Sequence, residues 1–184
     1  MRRALLSLLL AATVVSVALP AAAQTPREAK GFLALFAAPR AQAEGAERAA
    51  VKAAVQAAMA EPQRGRIWCV PFARRVSGVE LRGNAKTWWD QAKGRYHRSK
   101  EPRVGAVMAF AASRAMPKGH VAVVSKVISD REVLVDQANW ERNRITLDTL
   151  VVDVSAKGDW SAVRVANAGG TLGRVNPVKG FIHE

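Results

Sequence analysis

A chain of 184 residues with 28 Lys and Arg against 15 Asp and Glu carries a formal charge of +13, so its long-range attraction is for anionic partners. Its one cysteine, Cys69, excludes an intramolecular disulfide framework. Three scattered histidines and that cysteine make no metal-ligand spacing, so no zinc site and no other cofactor is expected.

Met1-Arg2-Arg3 is a short positive segment, and Ala4 to Leu19 is apolar except for Ser7, Thr13 and Ser16. Pro20 breaks the run, and Ala21-Ala22-Ala23 offers small residues for cleavage before Gln24. Residues 1–23 are therefore expected to be an export signal, and the mature chain to be periplasmic or secreted. Loss of Arg2 and Arg3 lowers the formal charge from +13 to +11. No later segment is long and apolar enough to span a bilayer, which needs about 20 residues. An unpaired thiol in an oxidising compartment is buried, reactive or bonded to another chain.

Residues 24–61 are alanine-rich and read as a helical arm or linker. Glu44 to Ala60 is helical by propensity, and Val51, Val55 and Met59 share one thin apolar face. Gly31 to Ala38 is a small apolar patch. Pro62 and Gly65 mark a boundary, and residues 62–184 read as one domain with its own core. Cys69 to Val76 is predicted helical, stopping at Ser77-Gly78. Asn84 to Ala92 is predicted as a second short helix, with Asn84 as its cap and Gly94 as its stop. Arg95 to Lys100, with His97, reads as a solvated loop.

Strands follow. Ala106 to Phe110 is a buried strand, and His120 to Val127 is a second, entered through Gly119. Ser129 to Glu132 is a hairpin turn, and Val133 to Asp136 returns as the partner strand. Trp160 to Val165 alternates as a further strand. Helices first and strands after predict an α+β domain with an antiparallel sheet. His120, at the head of a central strand, is better placed for chemistry than His97 or His183.

Several segments, taken in order, resemble the CHAP family of cysteine, histidine-dependent amidohydrolases and peptidases, relatives of the NlpC/P60 and papain-like hydrolases. They are Cys69-Val70-Pro71-Phe72-Ala73, Gly83-Asn84-Ala85-Lys86-Thr87-Trp88-Trp89 and Pro102-Arg103-Val104-Gly105-Ala106-Val107. Gly119-His120-Val121-Ala122-Val123-Val124, Asp136-Gln137-Ala138-Asn139-Trp140 and Asn176-Pro177-Val178-Lys179-Gly180-Phe181-Ile182 complete the set. The resemblance implies a papain-like fold with N-terminal helices packed on an antiparallel sheet. It also implies cleavage of amide bonds in bacterial cell-wall peptidoglycan or its peptide fragments. A monomer with no specific nucleic acid partner is expected.

Thiolate attack needs a lowered thiol pKa, which a helix N-terminus and a nearby imidazolium supply. Cys69 is the expected nucleophile, His120 the general base and acid, and the Cys69 backbone N–H an oxyanion donor. The family often has glutamine just before the cysteine, where this chain has Trp68. It usually has Glu-x-Asn-Trp after the histidine strand. Alignment on Asn139-Trp140 puts Gln137 in the glutamate position, and one extra residue puts Asp136 there. Asp136 is expected to orient the imidazole, with Asn139 second. Trp140 and Trp68 are the expected substrate-groove residues. The alternative is a non-catalytic basic module that binds cell wall or another polyanion, with the net charge as its motive.

Overall fold

The computed structural model describes residues 28–62 and 65–184, with side chains described from residue 40 onward. Two compact units divide the chain, residues 1–37 and 38–184. The expected signal, residues 1–23, lies outside the described residues, as do the side chains of the patch from Gly31 to Ala38. The backbone of residues 28–37 is helical, the opening of α1 (Glu28–Ala60). No described helix is long and apolar enough to cross a membrane.

Within the second unit α1 is part of the core. Val51, Val55 and Ala58 are buried, whereas Met59 is 43% exposed. The buried set runs i, i+4, i+7, as a 3.6-residue repeat requires; a strict spacing of four drifts around the helix and carries Met59 out to solvent. The boundary expected at residue 62 falls after this helix, whereas the compact unit starts at Ala38.

α2 spans Cys69–Ser77 and stops at Gly78, whose φ of 74° is the left-handed cap that glycine adopts without strain. The second predicted helix is broken in two, a 3₁₀ turn at Ala85–Thr87 and the short α3 (Trp88–Gln91). Asn84 caps it by backbone, its carbonyl accepting from the Thr87 N–H at 3.0 Å, with no side-chain cap bond.

Seven strands form one antiparallel sheet: β1 (His97–Ser99), β2 (Val107–Phe110), β3 (His120–Ser129), β4 (Glu132–Ala138), β5 (Ile145–Asp153), β6 (Ala162–Ala166) and β7 (Leu172–His183). Their order is β1-β7-β2-β3-β4-β5-β6, and β7 also pairs with β6. That last pairing curls the sheet into a barrel-like closure, since the long β7 meets β6 through its first half and β2 through its second. The antiparallel α+β prediction holds, with a closed rather than an open sheet. Arg95 to Lys100 is not wholly loop: His97–Ser99 is an edge strand on β7, and His97 stacks on His183 at 5.3 Å.

Two cores result, one per sheet face. Phe72, Ala73 and Val76 of α2 and Val51 and Val55 of α1 share a cluster with Val107, Val121 and Val123. Met108, Phe110, Ala122, Val124, Val133 and Val135 occupy the other face with Val163 and Phe181. Side chains alternate along a strand, so neighbours in sequence belong to different cores. That alternation positions the site.

Candidate active site

Cys69 is the first residue of α2, and Trp68 before it is extended (φ −128°, ψ 144°). The first N–H groups of a helix have no partner within it, so they face outward at this point. Backbone N–H groups of Val121, Val70 and Cys69 are directed at the half-buried sulfur. The Val121 contact places that sulfur beside the head of β3, where His120 begins the strand. Cys69 and His120 line the same cavity, of about 860 Å³.

Gly119 makes this approach possible. Its φ is +68°, and an added Cβ would lie 2.7 Å from Lys86 N and 2.9 Å from Phe110 O. The Lys86 N–H donates to the Lys118 carbonyl at 2.9 Å, pinning the entry to β3 against the 3₁₀ turn. His120 itself is 5% exposed. Phe110 and Trp140 stand edge-on to its ring, with centroids at 5.5 and 5.1 Å. This aromatic cage pushes the imidazole down to about 4, because burial disfavours the cation more than the Gln137 hydrogen bond favours it.

The side chain hydrogen-bonded to the His120 ring is Gln137, not Asp136 or Asn139. His120 Nε2–H donates to Gln137 Oε1 at 2.9 Å, which leaves Nδ1 as the ring nitrogen with a free lone pair. Strand alternation decides the matter. Val133, Val135 and Gln137 share the face that carries His120, whereas Asp136 points with Ala138 toward the helices. The irregularity beside them does not flip Asp136, because the extra residue is in β5: Val135 pairs with Thr149 and Gln137 with Thr146.

Asp136 is fully buried and binds Lys52 of α1 through both oxygens at 2.9 Å. Asn139 lines the cavity but shapes a loop instead: with φ 61°, its Oδ1 accepts from the Asn143 N–H at 2.9 Å. Asn143 Oδ1 in turn accepts from the Ile67 N–H at 2.8 Å, tying this loop to the segment that leads into α2. Trp68 and Trp140, the expected groove residues, both line the cavity. His97 and His183 do not. No group of His, Cys, Asp and Glu suited to a metal occurs among the described residues.

Burial shifts both groups of the expected thiolate–imidazolium pair. Burial pushes the Cys69 thiol up, against the pull of the Val121, Val70 and Cys69 N–H groups. Burial likewise pushes His120 down, so both shifts favour the uncharged forms. Gln137 supplies direction to the ring but no charge to hold a proton there.

The lowered imidazole also makes stability depend on pH. The unfolded histidine titrates near 6.5 and the folded one near 4, so the unfolded state takes up the proton first. The contribution is complete above pH ~6.5 and fades as pH falls toward ~4, by about 3 kcal/mol for a shift of this size. Thermal melts across that window should show a drop that is much smaller in His120→Gln. An equal drop in both proteins would place the titration elsewhere.

No match to a curated protein was found. Residues 61–139 match the family model described as CHAP domain, a segment that runs from the end of α1 past β4 and contains Cys69, His120 and Gln137. Residues 61–139 are thus similar to the CHAP domain family, the one the ordered motifs resemble.

Proposed function

We propose that the protein is a cysteine amidohydrolase or peptidase of papain-like arrangement that cleaves amide bonds in bacterial cell-wall peptidoglycan, in the periplasm or outside the cell. The CHAP domain match over residues 61–139 supports the reaction class, and the apolar, small-residue pattern of residues 1–23 supports export. The observation that carries the reading is one cavity lined by a helix-start thiol and by an imidazole oriented through its far nitrogen.

In this mechanism His120 Nδ1 takes the thiol proton as the sulfur bonds to the amide carbonyl carbon. The resulting oxyanion is held by backbone N–H groups at the start of α2, with the Cys69 N–H the nearest. The C–N bond breaks as the imidazolium returns its proton to the departing amine, leaving a thioester. Water then attacks the thioester with His120 as base, releasing the acid and restoring the thiol. General-base activation requires an uncharged imidazole, the form that burial favours at His120.

Mass spectrometry of products from defined muropeptides is the direct test. Cutting within the stem peptide leaves a shortened peptide on the sugar, whereas cutting between peptide and sugar frees the whole peptide. Either product is the expected result. Intact muropeptides, together with salt-sensitive binding to sacculi, would instead mark a basic wall-binding module, the reading that the net charge favours.

A further inference from the structure

The charged lining of the cavity is of one sign. Arg66, Lys118 and Arg174 contribute to it, and no Asp or Glu does among the described residues. All three are exposed, and none has an ion pair among those residues. Elsewhere Arg48, Arg74, Arg75, Arg131 and Arg144 each meet a carboxylate.

Two of the cavity cations share a mount. The Arg66 guanidinium lies 4.4 Å from the centroid of the Trp68 ring, and Lys118 Nζ lies 5.8 Å from it. Trp68 is 43% exposed and directly precedes Cys69. A guanidinium held by its face keeps its edge N–H donors free for two parallel bonds to a carboxylate.

A second observation points to a peptide. Asn176 is 1% exposed and lines the same cavity. Its Nδ2 donates to the Arg174 carbonyl at 2.9 Å, which fixes the amide, and its buried Oδ1 has no partner. A buried acceptor left unmatched costs free energy, and a substrate N–H directed at it removes that cost.

We propose that this cavity selects peptides with a free carboxylate next to the scissile amide, the carboxylate bound by Arg66 and Lys118 at Trp68 and a peptide N–H received by Asn176. The assignment rests on the hydrolase reading of the same cavity and adds its substrate preference. An amidated carboxylate keeps the shape but loses the charge-assisted hydrogen bonds.

The test uses two disaccharide-tetrapeptide muropeptides that differ only in whether the glutamate α-carboxyl is free or amidated. Calorimetry on the full chain with Cys69→Ser reads binding without turnover, and the wild type reads kcat/KM. The free acid should bind at least about tenfold tighter and be cut correspondingly faster. Arg66→Gln with Lys118→Gln should erase that preference. Lys126→Gln with Lys157→Gln, an equal loss of charge at exposed residues outside the cavity, should leave it intact. Cleavage of both muropeptides without preference would overturn this proposal and leave the hydrolase reading standing. So would a preference that survives the cavity pair or falls equally with the distant pair. Neither binding nor cleavage of either muropeptide would sink both.

Discussion

Cys69→Ala is expected to cut the release of soluble fragments from purified peptidoglycan sacculi by about 10⁴-fold or to the blank. The expectation follows from the proposed division of labour. His120 has nothing to deprotonate once the sulfur is gone, and the helix-start N–H groups alone hold an oxyanion that no longer forms. The fold should survive, because the thiol is half-buried, forms no disulfide and occupies little volume. Thermal melting of the variant should therefore track the wild type, which separates loss of chemistry from loss of structure. Undiminished release from sacculi would remove Cys69 from the mechanism. Alkylation of Cys69 by iodoacetamide is a weaker discriminator than loss of activity. With burial pushing the thiol up and His120 neutral, slow alkylation below pH 7 is expected even of a working hydrolase.

The parts of the site that were legible in the sequence are those where residue type is scarce. One cysteine at a helix start and one histidine behind a glycine at a strand head leave few choices, and the fold brings both to one cavity. Gln137 was harder to see, because the expectation of a charged orienting group outweighed the pattern of alternation. Yet Val133, Val135 and Gln137 lie two apart, and the first two are plainly core residues. Read for face rather than charge, β4 points to glutamine. β3, the Asp130-Arg131 turn and β4 follow from apolar runs split by turn residues. β7 does not, because Gly173, Pro177 and Gly180 interrupt it. Pro177 is tolerated there because its carbonyl accepts from the Ala111 N–H at 2.9 Å and its missing N–H is not called on. β5 is obscured by the extra residue that breaks its alternation, where Asp148 takes φ 47°.

Lys52→Met is expected to destabilise the protein by about 3–5 kcal/mol, the cost of leaving a buried charge without its partner. Asp136 is fully buried between β4 and α1, and Lys52 is the cation that reaches it, at 2.9 Å to each oxygen. Among the described residues the remaining hydrogen bond comes from the Asp148 N–H, at 2.8 Å to Asp136 Oδ1. Lys52 also binds Asp148 Oδ1 at 2.8 Å, alongside Arg48 at 3.2 Å and Ser125 Oγ at 2.8 Å. Burial pushes the Asp148 carboxyl up, but hydrogen bonds from Lys52 and Ser125 and the charges of Lys52 and Arg48 outweigh it and hold the carboxyl below its usual range. Lys52 is thus the hinge pin of a network that joins α1 to β3, β4 and β5. Arg48→Met should cost much less, since Arg48 and Asp148 are each about a third exposed and such pairs contribute roughly 0–1 kcal/mol. Denaturant unfolding of the two variants reads the difference. The double variant Lys52→Met with Asp136→Leu should recover much of the loss, because an apolar pair replaces a buried ion pair at little cost. Were Lys52→Met no worse than Arg48→Met, the buried pair would not be what fastens the helix. Asp136 directly precedes Gln137, so the same measurement bears on the site: a β4 released from α1 no longer holds the amide that orients His120.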